Sequence, residues 1–192
     1  MSKQLGFCIE QNVCMGCKAC QVACKDKNNL DLGQLFRKVT EVNGGDYSNN
    51  GNGINQNIFS YFTSISCNHC EKAVCVEVCP TGAMYKRKDD GIVLVNREVC
   101  IGCRACEQAC PYDAPTYNPN EKKMGKCDFC VDLIIQGKNP VCVGSCPVRA
   151  LHYGEIEDLR EKYGKIDSVE GMPEPTTKPS LVIIPHKDAN NK

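Results

Sequence analysis

All but one of the seventeen cysteines in this chain fall into four groups of four, and this pattern constrains the fold more than any other feature. Most of them are separated from the next cysteine by two or three residues, and disulfides between such close neighbours are strained. The total is also odd. The pattern therefore predicts metal binding by thiolates rather than a disulfide scaffold. The groups are Cys14, Cys17, Cys20 and Cys24; Cys67, Cys70, Cys75 and Cys79; Cys100, Cys103, Cys106 and Cys110; and Cys127, Cys130, Cys142 and Cys146.

The spacing within the groups indicates the kind of metal centre. Groups one and three follow Cys-x2-Cys-x2-Cys-x3-Cys, the run that holds [4Fe–4S] clusters, and Gly16 and Gly102 lie where a tight loop needs glycine. Groups two and four have a wider middle gap, and each ends in Cys-Pro-x-x-Ala, at Cys79 and Cys146. The two types alternate along the chain as an internal repeat. Four complete groups predict four [4Fe–4S] clusters, whereas a zinc-stapled structural protein is the alternative from another class.

The linkers indicate how the groups combine. The fourth cysteine of such a run ligates the other cluster of a pair, so each first-type group combines with a second-type group, one with two or one with four. A hairpin signal at Asp89-Asp90-Gly91 separates groups two and three, whereas residues 111–126 have no strand pattern. This difference favours two with three, and one with four around them. The predicted ligand sets are Cys14, Cys17, Cys20 and Cys146 (cluster 1); Cys24, Cys127, Cys130 and Cys142 (cluster 2); Cys67, Cys70, Cys75 and Cys110 (cluster 3); and Cys79, Cys100, Cys103 and Cys106 (cluster 4).

Short elements are predicted between the groups. Strands are expected at 5–10, 36–42, 58–65, 84–87, 92–95 and 181–184, and helices at 19–27, 104–110, 128–136 and 155–163. Residues 43–57, rich in Gly and Asn, predict an exposed loop, and the polar tail after Pro185 predicts fraying.

The predicted fold class is α+β, with two ferredoxin-like two-cluster modules, one inserted in the other, a long loop and a C-terminal extension. Residues 1–30 with 120–155 are predicted to form the outer module, and residues 67–119 the inner module. Residues 31–66 form a hairpin or loop insertion, and residues 156–192 form the extension.

Charge and hydropathy exclude several classes of protein. Lys and Arg number 23 and so do Asp and Glu, so the basic excess of a nucleic-acid-binding protein is missing. The longest apolar runs, such as 92–95 and 181–185, are too short to span a membrane. Residues 1–6 lack the apolar segment of a secretory signal. No residues with the pattern of a catalytic site stand out, so a non-catalytic protein is expected.

The four groups, with Ile65–Cys70, Cys79–Met84 and Cys110–Tyr112, resemble the four-cluster electron-transfer subunits of molybdopterin oxidoreductases. That family includes the iron–sulfur subunits of anaerobic dimethyl sulfoxide reductases, and the resemblance extends from Gly6 to Pro179. It implies the same combination of groups. It also implies that electrons pass between a quinol-oxidising integral membrane anchor subunit and a molybdopterin-containing catalytic subunit. Some relatives lack the second cysteine of group three and hold a three-iron cluster, whereas Cys103 implies four cubanes here.

The resemblance leaves open which enzyme complex the relay serves. A dimethyl sulfoxide reductase is expected, and a formate dehydrogenase, a hydrogenase, or a polysulfide or tetrathionate reductase are the alternatives. The complex is expected on the outer, periplasmic face of the cytoplasmic membrane, which this chain reaches by co-export with the catalytic subunit. Residues 43–57 and the tail from Glu155, including a strand at 181–184, are expected to contact those subunits or to be exposed and flexible.

Other residues near the groups have simpler expectations. Cys8, outside every group, is expected to be a small buried hydrophobic residue on a strand. His69 is expected to be a hydrogen-bonded surface imidazole rather than a proton carrier. Lys18, Arg104 and Lys126 either raise the potential of a nearby cluster or are solvated or paired with a partner.

Overall fold

The computed structural model describes residues 3–49, 51 and 53–189. Within these residues the strands are β1 (Leu5–Glu10), β2 (Arg37–Gly44), β3 (Tyr47–Asn49), β4 (Ile54–Gln56), β5 (Phe59–Ser66), β6 (Met84–Lys86), β7 (Val93–Val95), β8 (Thr116–Asn118), β9 (Lys123–Gly125), β10 (Leu151–Glu155) and β11 (Leu181–Ile184). The helices are α1 (Ala19–Lys27), α2 (Val74–Glu77), α3 (Ala105–Ala109), α4 (Val131–Ile134), α5 (Val141–Gly144) and α6 (Ile156–Tyr163). No helix in these ranges is long and apolar enough to cross a bilayer.

A three-stranded sheet joins the two ends of the described chain. β1 is its central strand, with β10 antiparallel on one side and β11 parallel on the other, so that Cys8 lies opposite both His152 and Val182. Nearly every residue of β1 is buried. The strand at 181–184 is confirmed. The expected apolar contact of its side chains with another subunit is wrong, because Leu181, Val182 and Ile183 are buried against this chain's own sheet, whereas strand addition by another subunit at the open edge of β11 stays a prediction.

The segment before β11 ties the C-terminal extension to group two. The backbone N–H groups of Glu71 and Lys72 donate to the carbonyls of Lys178 and Thr177, and the N–H of Ser180 donates to the carbonyl of Asn68. The expected fraying after Pro185 does not begin there, since the His186 ring stacks on Tyr61 with centroids 5.2 Å apart. Residues 190–192 lie outside the described residues.

Strands β2 and β5 form a long antiparallel hairpin, which was predicted as two β-rich segments. The loop expected at 43–57 is instead a continuation of this hairpin, because β3 and β4 pair in register from Tyr47 opposite Gln56 to Asn49 opposite Ile54. We call residues 45–58 the hairpin arm. Every described residue of the arm is exposed, so the expectation of exposure holds while that of an irregular loop is corrected.

Two short hairpins support the groups of cysteines. β6 and β7 pair as predicted around the Asp89-Asp90-Gly91 turn. β8 and β9 form a second hairpin between groups three and four, where no strand was predicted. The Asn118 side chain explains it, since its Oδ1 accepts hydrogen bonds from the N–H groups of Asn120 and Glu121 and so fixes the turn between three-residue strands.

Candidate iron–sulfur centres

The first-type groups one and three have the same backbone. Gly16 and Gly102 both have φ of 67°, and the residues that directly follow the second cysteine are also in the left-handed region, Lys18 at 61° and Arg104 at 64°. Lys18 and Arg104 are the N-cap residues of α1 and α3, so each group is a tight loop that runs directly into a helix. The repeat seen in the sequence is therefore a repeat of backbone conformation.

Glycine is required in these loops for space as well as for φ. A Cβ added at Gly102 would lie 2.4 Å from the carbonyl oxygen of Lys122, and one added at Gly16 would lie 2.4 Å from the Phe62 ring. Real Cβ contacts are not that short, so each loop is closed by a neighbouring element that leaves no room for a side chain.

The second-type groups two and four also match each other. His69 and Phe129 occupy corresponding positions with positive φ, and their N–H groups donate to the Sγ atoms of Cys67 and Cys127 at 3.5 and 3.4 Å. At the ends of the groups, the Met84 N–H donates to Cys79 Sγ and the Ala150 N–H to Cys146 Sγ, at 3.3 and 3.2 Å. Backbone donors thus point at the sulfurs, as anionic iron–sulfur sites require.

One cavity gathers cysteines from groups two and three. Asn68, Tyr112 and Thr177 also line it, and the Thr177 hydroxyl lies 3.2 Å from Cys70 Sγ. Among the described buried side-chain atoms, the Nδ2 of Asn68, a residue that lines this cavity, is one of the few without a hydrogen-bond partner. Thr177 lies far from group two in the sequence, and no local pattern predicts its role. The cysteines lining the cavity are Cys67, Cys70, Cys75 and Cys110.

A second cavity gathers the remaining cysteines of groups two and three. Apart from the cysteines, its lining is almost entirely apolar and includes Met84, Ile101 and Met124. Cys103 is exposed at its edge. Burial tends to raise the pKa of the Cys79 thiol, but the N–H groups of Met84 and Thr81 outweigh it and lower that pKa. The cysteines lining this cavity are Cys79, Cys100, Cys103 and Cys106.

Groups one and four approach each other because α1 packs against α5. Burial raises the pKa of Cys14, and the nearby Cys20, Cys146 and Cys17 raise it further. The thiols of Cys14, Cys17, Cys20 and Cys146 therefore lie close together, where the loop of group one meets the last cysteine of group four.

The other thiols of groups one and four form a neighbouring set. Burial raises the pKa of Cys24 to about 12, with further contributions from Cys142 and Cys130. Burial also raises the pKa of Cys127 well above its usual range, and Cys24 contributes to that shift. The two sets are adjacent, since Cys142 also acts on Cys20.

The donor chemistry fits iron–sulfur clusters. Burial raises the pKa of most of these thiols, to about 12 at Cys75 and about 11 at Cys70 and Cys106, and a bound metal is what deprotonates such thiols. Within the described ranges, no three His, Cys, Asp or Glu side chains lie close enough together to hold a single metal ion. A structural zinc site needs four such ligands around one ion, each about 2.0–2.3 Å from it.

Three residues near the sulfurs can now be placed. Cys8 is fully buried on β1 as predicted, and burial raises its pKa to about 12. His69 is hydrogen-bonded as expected, since its Nδ1 accepts from the Val93 N–H, but the expected surface position is wrong because the side chain is fully buried. Lys126 is buried rather than solvated, and its Nζ donates to the carbonyls of Val93 and Cys127.

Comparison with known proteins gives a consistent result. A 4Fe-4S dicluster domain model matches residues 58–156, and another 4Fe-4S dicluster domain model matches residues 13–83. The B polypeptide of anaerobic dimethyl sulfoxide reductase from Escherichia coli (strain K12) is 48% identical over 190 residues, which cover 98% of this chain and 92% of that protein.

More distant relatives cover the chain equally well. The B polypeptide of polysulfide reductase from Wolinella succinogenes is 38% identical, and the match covers 97% of both proteins. The B polypeptide of sulfite dehydrogenase from Allochromatium vinosum is 36% identical over 96% of this chain and 84% of its own length. Two dicluster domains with seventeen cysteines correspond to four clusters. The chain therefore belongs to the 4Fe–4S dicluster family of non-catalytic electron-transfer subunits that includes the B polypeptide of anaerobic dimethyl sulfoxide reductase, and its cofactors are four [4Fe–4S] clusters.

Proposed function

We propose that sixteen cysteines hold the four clusters in the sets that the linkers predict, and that Cys8 takes no part. The two cavities support the sets for clusters 3 and 4, because each is lined by four cysteines, three from one group and one from the other. The electrostatic neighbours of Cys14 and Cys24 support the sets for clusters 1 and 2. The proposed sets are Cys14, Cys17, Cys20 and Cys146; Cys24, Cys127, Cys130 and Cys142; Cys67, Cys70, Cys75 and Cys110; and Cys79, Cys100, Cys103 and Cys106.

We also propose that the inner module, residues 67–119, is inserted in the outer module, residues 1–30 with 120–155. Support comes from the pairing of β1 with β10 and the packing of α1 on α5, which join the two parts of the outer module. Within the inner module, α2 packs on α3 and β6 pairs with β7. The extension, residues 156–192, packs on both modules through β11 and Thr177, and residues 31–66 form the β2–β5 hairpin and its arm.

In this arrangement the chain acts as an electron relay. The clusters accept and donate single electrons, and the protein fixes the positions of the clusters. Each crossover cysteine belongs to the group that forms the other cluster of its pair, so Cys24 and Cys146 fix clusters 1 and 2 relative to each other. Cys79 and Cys110 do the same for clusters 3 and 4. Cys67, a proposed ligand of cluster 3, contributes to the raised pKa of Cys127, a proposed ligand of cluster 2, so these two clusters are neighbours in the proposed arrangement. The proposed path therefore runs through clusters 1, 2, 3 and 4 in that order.

The identity of 48% with the relative from anaerobic dimethyl sulfoxide reductase favours a dimethyl sulfoxide reductase as the complex in which this chain works. We propose a molybdopterin-containing catalytic subunit at one end of the path and an integral, quinol-oxidising membrane anchor subunit at the other. We further propose that the catalytic subunit carries this chain to the periplasmic face of the cytoplasmic membrane. Fractionation of cells with and without the catalytic subunit tests the location, and a periplasmic chain in cells lacking that subunit contradicts co-export.

Metal analysis of cysteine variants tests the ligand sets. The anaerobically purified chain should contain about sixteen iron and sixteen sulfide atoms, four of each per cubane, without a three-iron electron paramagnetic resonance signal. Cys103→Ser should convert or remove cluster 4 alone, and quinol-linked turnover of the complex should fall sharply because every electron crosses that cluster. Cys8→Ala is the matched control, since it removes a buried thiol that we place outside all four sets.

The opposite results would be equally clear. Normal turnover with cluster 4 altered would remove that cluster from the path. Loss of iron in Cys8→Ala would contradict the ligand sets.

A further inference from the structure

Arg37, at the start of β2, is the largest fully buried side chain among the described residues, with 1% of its surface exposed. Its Nη1 donates to the carbonyl and hydroxyl oxygens of Ser64 at 2.9 and 3.2 Å, and its Nη2 donates to the Ser66 hydroxyl at 3.0 Å. All of these acceptors are neutral. Its Nε has no hydrogen-bond partner within the described part of the chain.

No carboxylate of the described residues forms an ion pair with Arg37. A buried cation without an anion is strongly unfavourable, because desolvation is not repaid by neutral hydrogen bonds alone. Something negative must therefore lie close to this guanidinium in the assembled protein. Of the ionisable groups that act on it, the foremost are the cysteines Cys142, Cys127 and Cys20, which raise its pKa against the lowering caused by burial.

The contacts around Arg37 lead to both proposed clusters of the outer module. On one side, the Ser64 hydroxyl that accepts from Arg37 lies 3.4 Å from the Sγ of Cys20, a proposed ligand of cluster 1. On the other side, the guanidinium lies over the Phe7 ring, 4.8 Å from its centroid. Phe7 stacks on Phe129, which lies between two proposed ligands of cluster 2.

The position of Arg37 is fixed by the elements that carry it. The Val39 N–H donates to the Gln21 side chain at 2.9 Å, which holds β2 against α1 between Cys20 and Cys24. Ser64 and Ser66 are the neighbours of Arg37 on the paired strand β5. The insertion of residues 31–66, which contains no cysteine, thus delivers one positive charge to the junction between two clusters.

We propose that Arg37 is the buried counter-ion shared by clusters 1 and 2, and that its positive charge raises the reduction potentials of both. The proposal rests on the ligand sets given above. An oxidised cubane with four thiolates carries a charge of roughly −2, and accepting one electron makes it more negative by one. A fixed cation beside it stabilises the reduced form more than the oxidised form, so its removal lowers the potential.

Redox titration of the full chain, followed by electron paramagnetic resonance, tests this role. Signals of clusters 1 and 2 are identified as those lost in Cys17→Ser and Cys130→Ser. In Arg37→Gln, the ratio of reduced to oxidised cluster at a fixed potential should fall at least tenfold for clusters 1 and 2, a shift of about 59 mV for a one-electron couple. Clusters 3 and 4 should keep their potentials.

Two matched variants separate charge from structure. Arg37→Lys keeps the charge and should retain most of both potentials, whereas Lys38→Gln removes a charge from the exposed neighbour on the same strand and should change none. Ser64→Ala keeps the charge of Arg37 and its bonds to the Ser64 carbonyl and the Ser66 hydroxyl, so it should shift the two potentials less than Arg37→Gln does. If Arg37→Gln does not assemble, Arg37→Met removes the charge without leaving a buried polar group unpaired, and unchanged potentials of clusters 1 and 2 in that variant overturn the proposal.

The remaining outcomes are also decisive. Unchanged potentials in Arg37→Gln, or an equal shift in all four clusters, overturn the role of Arg37 and leave the ligand sets intact. If Cys17→Ser and Cys130→Ser do not remove different clusters, the ligand sets themselves are wrong and this proposal falls with them.

Discussion

Single residues in the loops around the sulfurs have little freedom, and Gly102 is the clearest example. Its φ of 67° lies in the left-handed region, and the carbonyl of Lys122 occupies the space that a side chain would need. Lys122 belongs to the turn of the β8–β9 hairpin. The hairpin that the sequence did not reveal is therefore what closes the loop of group three.

We expect Gly102→Ala to lower the stability of the cluster-loaded protein by about 2–4 kcal/mol, from backbone strain together with overpacking. Gly137→Ala is the control, since Gly137 has a similar φ of 72° but open space around its Cβ position, and it should cost only the backbone strain of about 1–2 kcal/mol. Anaerobic thermal unfolding with iron analysis measures both. Equal losses in the two variants would show that contact with Lys122 is unimportant.

At this scale, sequence identifies residues whose role depends on near neighbours in the chain. The cysteines and Gly16 are recognisable because a loop around a cluster is local. His69 and Arg37 are not, because their burial is produced by partners far away in the sequence, Val93 for the former and Ser64 for the latter. From sequence alone, their polar side chains are expected at the surface, and only the tertiary structure shows that they are buried.

Among the elements, β1, α1 and β11 were the easiest to predict. The bounds of β1, α1 and β11 agree with the sequence, since each is a compact apolar or helical run. The β8–β9 hairpin and the β3–β4 pair were missed because strands of three residues are too short to show alternation.

The hairpin arm, with Tyr47 67% and Ile54 73% exposed, retains the expectation of contact with a partner subunit. In the isolated chain, proteinase K should cut within the arm and leave β11 intact, because β11 is buried. In the assembled complex the arm should be protected. Equal cutting of the arm in both states would mean that it contacts no partner.

The β11 strand makes a separate prediction at the same scale. Truncation after Pro179 removes the buried side chains of Leu181, Val182 and Ile183, worth about 2 kcal/mol each, a sum comparable to the stability of a whole domain. We expect this truncated chain to aggregate or to bind little iron. Truncation after Asp188 should retain all four clusters, and if the shorter chain also retains them, the sheet does not need β11.

For the whole molecule, the clusters contribute more to the net charge than the side chains do. The formal charge of the chain is zero at pH 7, and four oxidised cubanes with their thiolates add roughly −8. The cluster-loaded protein should therefore bind an anion-exchange column at pH 7, whereas the reduced, metal-free chain with neutral thiols should bind weakly. Similar elution of the two forms would contradict a content of four clusters.

The position of β1 between β10 and β11 also sets an order of events during translation. β1 precedes both of its partners in the chain, so it stays unpaired on both edges until residues 151–155 and then 181–184 have been made. Over the same period, the thiols of group one lack their partners from group four, whereas groups two and three are both complete once Cys110 has been made. Clusters 3 and 4 can thus be filled before clusters 1 and 2, which also need the cysteines of group four. Until those cysteines and the partners of β1 have been made, the thiols of group one need protection from oxygen and the open edges of β1 need protection from aggregation.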